Sequence, residues 1–328
     1  MASPRINAPV TDSSKSRFSY IICIGRTREL QLSTTRCWVS RLKFHVNCVP
    51  CFLNQALRVV DTNGRRLSRM DKKGLLNHVM AILKDDRIME QLPAKTGRDV
   101  YALIAEYLGE PDIYKEAKQR SNDEARRLYP VAKAKVMAST DRLRTAATVA
   151  IVGNLMDLGT DHHYNLQAEI DSLRLAVDHF DALKAELARA RTLLYIADNA
   201  GEIFFDKLFL EEITRDFQIN VFFSVRAGPI INDATLDDAK AAGIGDLATI
   251  IEGTQSPGLL LDEASPELIH AYKAADIIIS KGQGNFEALS DRPKTDNLFF
   301  LLMAKCQVME AYFHEPVGSA ILAHWKRI

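Results

Sequence analysis

The hydrophobic period of this chain changes once, near Arg191, and that change constrains the fold more than any other feature. From about Pro50 to Ala190 apolar residues recur at helical spacing: Phe52, Leu53, Ala56, Leu57 and Val60, then Leu75, Leu76, Val79, Met80 and Leu83. The stripe Val100, Leu103, Ile104 and Leu108 continues it, with further helices expected over Ile113 to Tyr129 and Pro130 to Ala138. Asp141 to Gly153 is small and apolar throughout, which predicts a helix packed on all sides. Strand signals are absent from this half.

From Arg191 onward, short apolar runs alternate with helical stretches. The runs are Leu193 to Ala197, Asn220 to Val225, Thr249 to Ile251, Asp276 to Ser280 and Leu298 to Met303. Helices are expected between them at Ile203 to Phe217, Leu236 to Ala242, Pro266 to Ala274 and Phe286 to Leu289. Such alternation predicts a doubly wound parallel sheet. The expected fold class is therefore α/β: a Rossmann-like α/β/α domain over 191–328, an all-helical domain over 47–190, and an extension over 1–46.

Met1 to Lys43 carries eight Lys/Arg against Asp12 and Glu29 alone. That composition suits an organellar transit peptide, a tail, or a mis-assigned start codon. For the rest, 42 basic residues balance 42 acidic ones, so bulk charge directs the protein to neither nucleic acid nor membrane. Apolar runs such as Leu298 to Ala304 fall far short of the roughly 20 residues that span a bilayer. Cys23, Cys37, Cys48, Cys51 and Cys306 are odd in number and scattered, which argues for a reducing compartment and a cytoplasmic location. Oligomeric state is open.

Polar residues of one kind punctuate three strand ends in the second half. Asp198-Asn199 follows the first run, Arg226 and then Asn232-Asp233 the second, and Lys281-Gly282-Gln283-Gly284-Asn285 the fourth. In an open parallel sheet these ends converge on the ligand crevice, and a helix start there favours an anion. Two carboxylates and an amide suit a hard divalent cation such as Mg²⁺ or Mn²⁺, while Lys and Arg suit a phosphate. Phosphoryl transfer needs this equipment. Taken singly, Asp198-Asn199 and Asn232-Asp233 also read as helix caps, and the Lys281 turn as a tight loop with a solvated lysine.

The stretches Gly153-Asn154-Leu155-Met156-Asp157, Asp198-Asn199-Ala200-Gly201-Glu202, Gly228 to Thr235, Lys281 to Glu287 and Lys305-Cys306 occur in an order that resembles the DUF89 damage-control phosphatases. The resemblance runs from about Asn47 to the end of the chain. It implies a metal-dependent phosphomonoester hydrolase acting on small phosphorylated metabolites, with an α-helical region beside a Rossmann-like domain. It implies further that Asp198, Asn199 and Asp233 bind a divalent metal (manganese, cobalt, nickel or magnesium) and that Lys281 holds the substrate phosphate. Asn154, Asp157, Arg226, Asn232 and Asn285 would line the pocket. Asp198 is the candidate nucleophile, with Asp157 or Asp233 as base; direct attack by water is equally open.

Cys48-Val49-Pro50-Cys51 is a single C-x-x-C, too few ligands for a structural zinc site. The stand-alone DUF89 branch carries such a pair, for which a structural or regulatory role is expected rather than catalysis. The alternative function is a non-hydrolytic nucleotide- or metal-binding Rossmann-like protein with Cys48/Cys51 as a metal or redox pair. Two details weigh in this comparison of functions: no G-x-G-x-x-G follows the first strand, and Ala200 excludes the D-x-D of haloacid-dehalogenase phosphatases. His162-His163 reads as a solvent-facing loop.

Overall fold

The computed structural model describes residues 42–62, 67–153 and 172–328. The extension expected over 1–46, apart from its last residues, and the candidates Asn154, Asp157, His162 and His163 lie outside them. Helices α1 (Cys48–Thr62), α2 (Arg69–Leu83), α3 (Pro93–Leu108), α4 (Lys115–Ala138) and α5 (Arg142–Val152) come first. Strands and helices then alternate: β1 (Leu175–Asp178), α6 (Phe180–Leu187), β2 (Thr192–Ile196), α7 (Glu202–Asp216), β3 (Asn220–Val225), α8 (Leu236–Ala242) and β4 (Thr249–Glu252). The chain continues through α9 (Pro266–Ala274), β5 (Ile277–Lys281), α10 (Gln283–Leu289), β6 (Leu298–Met303), α11 (Gln307–Phe313) and β7 (Ala320–His324).

The strands form one sheet in the order β1-β7-β6-β5-β2-β3-β4, parallel except where β7 runs antiparallel to β6. Period-two alternation decides which side chains go to which face. Leu193, Tyr195, Phe223, Ile279 and Phe299 join one core with α4 to α7, and Leu194, Ile196, Ile278, Phe300 and Ile321 join the other with α9 to α11. Burial on both faces explains why these strands read as continuous apolar runs. Helices α1 to α3 build a third core, into which Ile230 from the loop after β3 inserts.

Two strands, β1 and β7, escape the sequence reading. Leu175–Asp178 lies inside the span expected to be helical, yet pairs parallel with β7. It is a four-residue edge strand with alternating half-burial, and its Leu175 and Val177 fall into helical spacing with the Phe180 and Leu183 that follow. Residues Val39–Ile328 form one compact unit, so the helical part and the sheet are not separate bodies. Pro130 does not divide two helices either; it sits inside the 24-residue α4. No helix among the described residues is long and apolar enough to cross a membrane.

Candidate active site

The chain winds outward from β2 through β3 to β4, then crosses back to place β5 on the other side of β2. Winding reverses between β2 and β5, and the crevice outside the carboxyl ends of those strands is where such sheets bind ligands. Asp198 follows β2, and Gly282 follows β5. The two meet directly: Gly282 has φ of 79°, and a Cβ there would lie 1.9 Å from Asp198 Oδ2. Replacing Gly282 by Ala should therefore cost about 2 kcal/mol for the left-handed backbone alone. Displacement of the Asp198 carboxylate adds to that cost. A thermal midpoint equal to that of the unaltered protein would refute the close approach.

Backbone hydrogen bonds stitch the Asp198 turn to the loop after β3. Ala200 N donates to Asn232 O at 2.9 Å, and Ala234 N donates to Asp198 O at 2.8 Å. Asn199 and Asp233 thereby pair as an isolated antiparallel bridge. Asp198, Asn199 and Asp233, expected together from the sequence, are brought together. Among the described residues no three His, Cys, Asp or Glu side chains converge as a metal cage, so any cation here would rely on the Asn199 amide oxygen as third donor. Asn199 Nδ2 donates to Asp198 Oδ2 at 2.9 Å and to Glu202 Oε2 at 3.1 Å.

Asp198, Asp233 and Glu202 are all buried, and their like charges repel. Burial first, then Glu202 and Asp233, push the Asp198 carboxyl up to about 8, against the pull of Lys305 and Arg226. Asp233 is raised too, chiefly by burial, with Arg226 opposing. An excess of buried negative charge on hard oxygen donors is the environment a divalent cation neutralises. The donor set fits such an ion.

Lys281 is not where the sequence expectation puts it. It is fully buried, and its ammonium donates to Glu202 Oε1, to Asp206 Oδ1 at 2.6 Å and to Ala150 O at 2.9 Å. An ammonium has three donors, so none remains for a phosphate. Burial would lower its pKa, but Asp206 and Glu202 outweigh that and hold it above the ordinary lysine value. Tyr195 Oη also donates to Asp206, at 2.7 Å. Lys281 therefore balances charge beneath the site instead of lining it.

Arg226 and Asn285 differ from expectation in the same way. Arg226 Nε donates to Asp233 Oδ2 at 2.6 Å, and its Nη2 donates to Asn285 Oδ1 at 3.0 Å. Asn285 is fully buried and spends its amide on Ala197 O (2.9 Å) and Lys281 O (2.7 Å), while its oxygen also accepts from Leu259 N. It ties the ends of β2 and β5 together, a positioning task. Asn232 contributes its backbone oxygen to the Ala200 contact and is itself buried.

Several contributors were not singled out in the sequence. From α4, Asn122 Oδ1 accepts from Gly201 N at 2.7 Å, and Ser121 Oγ donates to Ala200 O at 3.3 Å. Asn122 Nδ2 also donates to Asp238 Oδ1 at 2.7 Å, while Asp238 caps α8 through Thr235. One helix thus clamps both acidic turns. Lys305, part of the Lys305-Cys306 stretch noted in the sequence, is exposed and lowers the Asp198 pKa, an accessible cation at the crevice. A cavity of about 440 Å³ opens beside the β3 loop, walled by Arg98, Tyr101, Tyr114, Pro229, Ile230 and Ile231. Ile231 holds φ at 46°, a conformation that costs a β-branched residue roughly 1–3 kcal/mol. The strain falls one residue before Asn232-Asp233.

Comparison with known proteins gives the chain's family. Residues 44–321 match the model of the damage-control phosphatase ARMT1-like domain. A damage-control phosphatase of Pyrococcus horikoshii is 32% identical over 285 residues, covering 85% of this chain and 97% of that protein. One of Archaeoglobus fulgidus is 36% identical over 251 residues, covering 74% and 86% respectively. The crystal structure of a DUF89 family protein from Pyrococcus horikoshii superposes with a TM-score of 0.80 at 30% identity, covering 87% of this chain and all of that one. With its acidic turns set at the switch point of this sheet, the chain belongs to the DUF89 family of damage-control phosphatases with an ARMT1-like domain.

Proposed function

We propose that the protein is a metal-dependent phosphomonoester hydrolase acting on small phosphorylated metabolites. The observation that carries this reading is the burial of Asp198 and Asp233 side by side across the Asn199–Asp233 bridge, with Glu202 adding a third buried carboxylate. Asp198, Asn199 and Asp233 would hold the divalent ion, which when bound polarises a phosphoryl group and neutralises its charge. Arg226 orients Asp233 through Oδ2. Lys305 meets the phosphate from the solvent side, a role moved here from the buried Lys281. Asp198 is the group placed to attack phosphorus or to hold the attacking water. The cavity beside Ile231 accommodates the remainder of the substrate.

The test is a phosphatase assay over a panel of phosphorylated metabolites with manganese, cobalt, nickel or magnesium added to chelator-treated protein. Turnover with at least one cation is expected; none on any substrate with any cation refutes the reading. A Lys305→Ala variant should raise KM more than it lowers kcat, because its charge meets the phosphate in both ground and transition states.

The same site makes stability depend on pH. Asp198 has an ordinary value of 3.8 and about 8 in the fold, so the metal-free folded state holds its proton more tightly than the unfolded chain. Its contribution is full below the lower value and is lost as pH rises through the higher one. The melting temperature of chelator-treated protein should therefore fall as pH climbs from 4 to 8. Added manganese should remove the fall by stabilising the ionised carboxylates. A profile indifferent to manganese would refute the ligand assignment.

A further inference from the structure

Cys48 and Cys51, at the start of α1, lie on the same side of the candidate active site as Cys306, which is far away in sequence. Cys48 opens α1 and Cys51 stands one turn further on, whereas Cys306 is the residue before α11. Asn47 Nδ2 donates to Gln307 Oε1 at 3.2 Å, joining the two helix starts through the residues next to Cys48 and Cys306. Gln55 Nε2 donates to Cys51 Sγ at 3.3 Å, and Gln283 Nε2 donates to Cys306 Sγ at 3.5 Å. All three thiols are free, with Cys51 exposed and the other two half-buried. Gln283 also bonds the half-buried Glu287, and its Oε1 accepts from Lys305 N at 3.1 Å.

We propose that Cys51 and Cys306 form a disulfide-forming pair, a redox modification site that staples the start of α1 to the start of α11 and acts on the crevice through Gln283 and Lys305. Burial and then Cys306 raise the Cys51 thiol, in keeping with the Asn47–Gln307 bond that sets the two helix starts side by side. With a hydroperoxide as oxidant, the Cys51 thiolate attacks a peroxide oxygen. The O–O bond breaks, Cys51 becomes a sulfenic acid, and for hydrogen peroxide a water leaves after protonation. Cys306 then attacks the Cys51 sulfur, the S–S bond forms, the S–O bond breaks and a second water leaves. Two thiols and one peroxide thus give one disulfide and two waters, the two electrons passing from sulfur to oxygen. High thiol pKa values make the attack slow but also make the thiolates poor leaving groups, so the bond once formed resists reduction.

Bonded to Cys51, Cys306 Sγ can no longer hold Gln283 as it does when free. Gln283 supports the Lys305 backbone and follows the glycine that packs on Asp198. Oxidation is therefore expected to lower turnover. This consequence rests on the phosphatase reading, whereas the bond itself does not.

The experiment treats full-length reduced protein with hydrogen peroxide and maps non-reduced peptides by mass spectrometry, with turnover measured in parallel. The expected result is a Cys51–Cys306 cross-linked peptide that dithiothreitol reverses, present in Cys48→Ser and absent in Cys306→Ser. Turnover should drop several-fold on oxidation in the unaltered protein and stay level in Cys306→Ser. A map showing only a Cys48–Cys51 bond, or no disulfide, overturns the proposal; a cross-link with unchanged turnover overturns its action on the crevice. If the untreated protein has no phosphatase activity, the peptide map still decides the modification site.

Discussion

Replacing Lys281 by Met is expected to destabilise the protein by about 3–5 kcal/mol, because it leaves Glu202 and Asp206 facing one another in the core with no cation between them. Both carboxylates are buried, and Asp206 Oδ2 already lacks a hydrogen-bond partner among the described residues. A loss of that size is a large share of the roughly 5–15 kcal/mol that holds a domain folded. Urea denaturation at neutral pH measures it. Burial and Glu202 raise the Asp206 carboxyl to about 6 even with Lys281 opposing them. Without the lysine Asp206 should hold its proton to still higher pH, so the loss should shrink as the solution is acidified. A Lys281→Met, Glu202→Gln, Asp206→Asn triple variant removes the orphaned charges and should recover most of the stability. A lysine whose task was to grip a phosphate would behave otherwise: Lys281→Met would lose turnover and keep its urea midpoint.

That contrast shows where the sequence stops being informative. Asp198-Asn199, Asn232-Asp233 and Lys281 are visible in the chain because each breaks a strand-length apolar run, and a parallel sheet gathers strand ends at one edge. Their depth is not visible. Periodicity places Lys281 at the end of β5 but cannot say that Glu202 and Asp206, one turn apart on α7, lie beneath it and turn it from an expected phosphate ligand into a buried counter-charge. Nor can it find Ser121 and Asn122, polar residues on a helix that is mostly polar, whose bonds to Ala200 and Gly201 hold the first acidic turn. The fold shows the same division. Strands β2, β5 and β6, buried on both faces, announce themselves, whereas β1, short and half-exposed at the sheet edge, borrows the helical spacing of α6.

Replacing Asp198 by Asn should abolish turnover while leaving the metal-free protein at least as stable as before, and this opposition separates a catalytic carboxylate from a structural one. The loss of rate follows from the proposed ligand set. An amide in place of the carboxylate removes a full negative charge from the ion's donors and removes the candidate nucleophile, and a loss of about 4 kcal/mol of transition-state stabilisation is roughly a thousandfold in rate. The stability follows from the apo geometry. Glu202 and Asp233 crowd Asp198, and burial adds to their effect, so the fold already favours its uncharged form near neutrality. Asparagine is uncharged and of the same shape, and it retains an oxygen for the Asn199 amide. At pH 8 the variant should therefore melt a few degrees above the chelator-treated parent, and the two should converge as the pH falls below 3.8, where the parent carboxyl is protonated in both states. Asp233→Asn should lose activity as well, but its melting temperature should fall, because Arg226 then loses the carboxylate that its buried guanidinium faces at 2.6 Å. Full turnover in Asp198→Asn would remove that residue from the site, and a melting temperature well below the parent's would make it a structural cap instead.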